Sequence, residues 1–175
     1  MMSKNLLFLT TTLIAAIAVH LYVLFNLPTF IMDKAIALLR GDGSTFNQWL
    51  PSEPITPDNQ PVVRASPDLA YTICLLDLSD GPLLVSAATW SGYGSLSIFD
   101  HDTRNVHAST LRGDGAMHGV IVATKDQSTP ANSNMPVVRL SDETGVALIR
   151  RLAPDPNSRG QSDALNPLGR CGPLT

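Results

Sequence analysis

Four side chains able to bind a metal or move a proton, His101, Asp102, His107 and His118, fall close together in the sequence. Imidazole and carboxylate groups are common zinc ligands, and such sites show short, repeating intervals between ligands. These four have no repeating interval, so they read as surface histidines in a turn and a loop, with no metal and no cofactor. Covalent catalysis fares no better. Gly94-Ser95 lacks the second glycine of a nucleophile elbow, and Ser95-Leu96-Ser97 alternates as solvent-facing serines on a strand would. Gly92-Tyr93-Gly94 precedes a strand rather than a helix, which argues against a phosphate-binding loop. Arg-Gly-Asp-Gly occurs at residues 40–43 and again at 112–115, and both copies are ordinary turn chemistry. No catalytic residue is expected, and an enzyme is the less favoured reading.

Charge inside apolar runs is the more informative pattern: Arg64, Arg139, Arg150 and Arg151 against Asp68, Asp77 and Asp100. Consecutive strand residues point to opposite faces, so Arg150 and Arg151 cannot both face solvent in a half-buried sheet unless they sit at its fraying end. One of them is expected to need a carboxylate. The favoured reading is an Arg-Asp pair tying strands together at a sheet edge; the other is an arginine holding an anionic ligand. The candidate ligand-binding set is Arg64, Tyr71, Asp77, Tyr93, Arg139 and Arg150. Cys74 and Cys171 either form a disulfide, stabilising by about 2–4 kcal/mol, or remain a buried thiol and an unrelated terminal one.

The elements that would position these groups begin with an apolar N-terminus. Of the 20 residues at 6–25, 16 are apolar, and none is Asp, Glu, Lys or Arg. At about 1.5 Å per residue the run spans roughly 30 Å, the thickness of a bilayer's hydrocarbon core. Ala16-Ile17-Ala18 offers a signal-peptidase site, but the apolar run continues for seven residues beyond Ala18, which favours an uncleaved anchor. Lys4 precedes the run and Asp33 follows it, placing the N-terminus in the cytoplasm, the anchor in a bacterial inner membrane and the main domain in the periplasm. The bilayer is thus the first partner, through residues 6–25. Nucleic acid is not expected, since the net charge is −3 and the 12 Lys and Arg are scattered.

Residues 27–41 read as a short amphipathic helix opened by Pro28, lying on the membrane, packing on the following domain or continuing the anchor. Residues 42–61, with Pro51, Pro54, Pro57 and Pro61, read as an extended linker. From residue 62 to 152, short apolar runs alternate with turn residues. Strands are predicted at 69–76, 83–88, 95–99, 106–111, 120–124, 137–140 and 146–152, antiparallel in a small sandwich or barrel-like domain. Helix signal in the strand-rich region is weak, and residues 153–175 are expected to form a C-terminal tail.

Arg64-Ala65-Ser66-Pro67-Asp68-Leu69-Ala70-Tyr71, then Asp77 to Pro82, Tyr93, and Ser95 to Asp100 resemble the bacterial family defined by the domain of unknown function DUF1254. Val138-Arg139, Thr144-Gly145, Leu148 to Leu152 and the terminal Cys171-Gly172-Pro173-Leu174 continue the resemblance, whose specificity lies in the order of the motifs. It implies a single-anchor envelope protein without an assigned reaction, related to longer proteins with β sandwich domains. The chain departs from the family pattern at 113–119 and 129–136, where Gly, Ser, Asn and Pro replace regular structure. Two functions remain. A non-catalytic interaction or assembly module of the envelope would show an exposed apolar patch on a sheet. A small-molecule-binding or hydrolytic domain would gather Tyr71, Tyr93, Arg150 or Asp77 around a cavity.

Overall fold

The computed structural model describes residues 3–41, 45–59, 65–114 and 116–174. One long helix, α1 (Lys4–Gly41), opens the chain, and the side chains of its most apolar stretch stay outside the folded domain. The hydroxyls of Thr10 and Thr11 donate to carbonyls one turn back, at 2.9–3.1 Å, which lets them sit in an apolar surface. The helix runs through Pro28, so residues 27–41 are the last turns of α1 and not a separate helix. Pro28 forfeits one backbone hydrogen bond, but the turns beyond it gain a surface to pack on.

That surface belongs to a two-layer β sandwich. One sheet orders five strands as β1 (Leu50–Pro51), β2 (Leu69–Asp77), β8 (Thr144–Leu152), β4 (Gly94–Asp100) and β5 (Asn105–Thr110). The other orders four as β7 (Val137–Leu140), β6 (Met117–Thr124), β3 (Leu83–Ala88) and β9 (Cys171–Pro173). The seven strands predicted from alternation are β2 to β8. Two short ones, β1 and β9, carry too few residues to show a period. The Pro-rich stretch read as a linker lies along β2: Leu50 pairs with Ile73, and the Asn47 side-chain amide bridges both backbone groups of Asp77.

The expectation of uniformly antiparallel pairing fails at one place, since β7 runs parallel to β6. The connection at residues 125–136 is long enough to carry the chain back to the starting end of β6, as a parallel pair requires. Arg139 pins that connection, donating to the carbonyls of Thr124 at 2.7 Å and Gln127 at 2.6 Å.

Period-2 alternation fills the space between the sheets with Leu76, Val85, Leu96, Ile98, Val120, Val122, Leu140, Ala147 and Ile149. Gly145 faces the same core: a Cβ there would lie 2.7 Å from the Phe99 carbonyl oxygen and 2.9 Å from Leu140 Cδ1. Gly145→Ala is therefore expected to cost about 1–3 kcal/mol by overpacking, read as a lower chemical-unfolding midpoint.

On the outer face of the five-stranded sheet, Met32 and Ile36 of α1 bury themselves against Leu75, flanked by Leu39, Phe46, Ile73, Phe99 and Val146. Asp33 reaches His101 Nε2 at 3.3 Å, and Arg40 stacks over the Phe46 ring. The helix thus remains attached to the domain it precedes. The tail is structured as well. Helix α2 (Pro156–Ala164) begins with a capping box between Asp155 and Ser158, with Pro156 in the first turn. A 3-10 turn (Asn166–Leu168) then leads to β9.

Candidate functional site

The residues singled out in the sequence separate into distinct places. Tyr71 on β2 and Arg150 on β8 are cross-strand partners on the outer face of the five-stranded sheet, and Ser95 on β4 pairs with Arg150 from the other side. The Arg150 guanidinium donates to Ser97 Oγ at 3.0 Å, the Tyr71 hydroxyl accepts from the Ser66 amide at 2.8 Å, and Tyr93 lies beside Ser95. Tyr71, Arg150 and Tyr93 therefore share one face of the sheet.

The others do not join them. Asp77 stands at the far end of β2, where it caps the turn; the Ser79 side chain and amide hold its carboxyl below the usual range. Arg139 is on the other sheet. Arg64 lies outside the described residues, as do Gly43 and Gly115 of the two Arg-Gly-Asp-Gly copies.

The expected arginine-carboxylate pair is replaced by a different solution. Neither Arg150 nor Arg151 is within ion-pair distance of a carboxylate among the described residues. Arg151 points inward, 1% exposed, at the end of the core beneath α2. It donates to the Ser162 carbonyl at 3.2 Å, Asn166 Oδ1 at 2.8 Å and the Ala88 carbonyl at 3.1 Å. The Ser162 carbonyl belongs to the C-terminal turn of α2, where the helix dipole is negative and favours a cation. Burial lowers the Arg151 pKa to about 10, partly offset by the charge of Asp163, so the group stays cationic at neutral pH. Thr72 also donates to Asn166 Oδ1, which joins β2, β8 and the tail through one amide.

The cysteines meet. Cys74 on β2 and Cys171 on β9 form a disulfide across the sandwich, with Cα atoms 6.6 Å apart. The histidines correct the sequence reading. Only His101 is in a turn; His107 lies on β5 and His118 on β6, both turned towards the interior. Nothing in the local sequence distinguishes an inward from an outward position on so short a strand. Among the described residues, no group of three or more potential metal ligands forms.

A concave feature lies elsewhere, on the outer face of the four-stranded sheet. A groove of about 440 Å³ is lined by Leu84, Ser86, Met117, His118, Gly119, Asn134, Met135 and Pro136. Its floor is low because Gly119 carries no side chain; a Cβ there would approach Ser86 Cβ to 3.2 Å and Met135 Sδ to 3.6 Å. Two of its walls are methionines, Met117 is 50% exposed, and Val137 beside it on β7 is 40% exposed. A second groove, of about 370 Å³, runs between Trp49 and the 3-10 turn. Tyr71, Tyr93, Asp77 and Arg150 line neither.

At the N-terminus, α1 is long and apolar enough to cross a membrane, with a mean hydropathy of 2.1 over its most apolar window. Length and composition fit both a single anchor and a signal sequence.

Comparison with solved structures finds the fold in the VPA0106 protein from Vibrio parahaemolyticus, at 15% identity and a TM-score of 0.58, over 82% of this chain and 36% of that one. An uncharacterized protein from Burkholderia cenocepacia aligns at 14% identity and a TM-score of 0.45, over 72% of this chain and 37% of that one. This chain thus spans little more than a third of the length of either, and the likeness to VPA0106 concerns the fold alone. No curated protein matches it. The sequence pattern of the family described as "Protein of unknown function (DUF1254)" matches residues 46–166, reaching from the residues beside β1 through α2. By that match over most of its length, the chain belongs to the DUF1254 family.

Proposed function

We propose that this protein is a non-catalytic docking module of the bacterial cell envelope, anchored by residues 6–25 in the inner membrane with its β domain in the periplasm. A protein partner presenting aliphatic side chains seats in the groove bounded by Met117 and Met135. The groove carries the reading: it is mainly apolar, open and walled by flexible thioethers that adapt to a partner's surface, while the tyrosines and arginine of the ligand hypothesis line neither groove. The disulfide supports export, because such bonds persist in oxidising compartments. Lys4 before the apolar run and Asp33 after it support the orientation. The occurrence of this fold within much longer chains supports a domain that works beside further protein.

A photo-crosslinking side chain placed at Met117 or Met135 in the native membrane is expected to capture one defined polypeptide. Met135→Arg is expected to weaken that capture at least about tenfold by placing a charge in the apolar contact. Crosslinking to no protein, or capture unchanged by the arginine, would refute the docking role. Enzymatic reporters fused after Thr175 test the orientation separately. Activity of a cytoplasm-dependent reporter, or release of the full-length chain by an alkaline wash, would overturn the anchored reading.

A further inference from the structure

His107 and His118 stand on opposite sheets and turn into the same interior. His107 is the cross-strand partner of Ile98 and His118 that of Ala87, both fully buried, and directly paired residues share a face. The Nε2 atoms of both imidazoles are buried without a hydrogen-bond partner. So are the hydroxyl oxygens of Ser109, the next inward position on β5, and of Thr89, which comes directly after β3. Four polar groups on this side of the sandwich thus lack the bonds that buried polar atoms almost always make.

Both residues are part-buried, and the side chains packed around them are apolar. Inward-facing neighbours on β4, β6 and β7 are Leu96, Ile98, Val120, Val138 and Leu140. The inward carboxylate at the end of β4, Asp100, is engaged by Arg104, by the Ser141 hydroxyl and by the His101 amide. Burial first, and then the charge of His118, lower the pKa of His107. A divalent metal is a poor occupant, because no carboxylate or thiolate among the described residues joins the two imidazoles to neutralise it. The sheets are also tied unevenly. The disulfide clamps the β2 and β9 side, while the β5 side has no covalent tie.

We propose that His107, facing His118 across the sandwich, forms an acid-sensitive latch, closed while its ring is neutral and opened at the β5 edge when it takes up a proton. A histidine whose folded pKa is depressed binds protons more readily once the edge opens. The latch therefore keeps its full stability above the ordinary histidine value of 6.5 and loses it as pH falls through that value. Because β5 is the last strand of its sheet, opening would expose the edge of β4, a surface able to pair with another chain.

Hydrogen exchange on the full chain in detergent, compared at about pH 7.5 and about pH 5 and corrected for intrinsic rates, tests this. Protection of residues 105–110 is expected to fall at least about tenfold on acidification while β2 and β8 keep theirs. The His107→Leu, His118→Leu double variant is expected to remove that dependence. Unchanged protection of β5 in the wild type, equal loss in all three strands, or an unaltered pH dependence in the variant would each overturn the latch. The wild-type comparison decides the matter even if the variant does not fold.

Discussion

Arg151→Met is expected to lower the free energy of unfolding by about 3–5 kcal/mol, a large part of the stability of a domain this size. Methionine has similar bulk and a comparable apolar stem, so the loss would come from the head group. Removing the guanidinium strips donors from the carbonyls of Ser162 and Ala88 and from Asn166 Oδ1, all of them inside the fold. Hydrogen bonds to a charged donor contribute about 1.5–3 kcal/mol each and three are lost, although Asn166 Oδ1 keeps the Thr72 hydroxyl and the Ser162 carbonyl keeps the Leu165 amide. Arg151→Lys keeps the charge but offers a single ammonium that cannot reach β3 and α2 together, so only part of the loss is expected to return. Chemical unfolding of the three proteins in the same detergent provides the comparison. A methionine variant with the wild-type midpoint would mean that the acceptors find water instead and that the guanidinium is no structural tie.

Removal of the disulfide has the next largest expected effect. Joint replacement by Cys74→Ser and Cys171→Ser should cost about 2–5 kcal/mol, since the bond closes a loop of 97 residues in the unfolded chain. The native state suffers too. The strand β9 offers only three residues to β3, and the bond fixes it against the opposite sheet. Unfolding midpoints measured with and without reductant on the wild type, beside the serine pair, report the same quantity twice. Coincident midpoints in all three conditions would contradict it.

How far the sequence can be read depends on the length over which each signal repeats. Strand β3 and strand β7 have the predicted limits, 83–88 and 137–140, because turn residues bound them on both sides. The Tyr71 and Arg150 neighbours are legible as candidates because aromatic and basic residues stand out inside apolar runs, though only the register of β2 on β8 brings them together. Helix α2 escapes a reading by periodicity although Asp155, Pro156 and Ser158 spell a helix start. The rest of the helix is polar and holds Gly160, so the usual apolar stripe is absent. Without α2 the answer for Arg151 stays hidden, because its partners are backbone carbonyls and an amide, two of them supplied by the very segment that reads as a tail. Backbone acceptors leave no trace in residue types. The inward aim of His107 and His118 is invisible for a related reason: alternation in β5 sets His107 among polar residues, β6 carries apolar residues on both faces, and only pairing with Ile98 and Ala87 assigns the side.

The unbroken course of α1 through Pro28, and the seating of Met32 and Ile36 on the five-stranded sheet, also govern geometry at larger scale. If residues 6–25 lie in a bilayer as proposed, the contact at Ile36 stands about 16 Å beyond the end of the apolar run. The helix is continuous between those points. Altitude and compass bearing of the methionine groove relative to the lipid surface are then set by one rod, so a partner has to present its own surface at a matching elevation or fail to meet it.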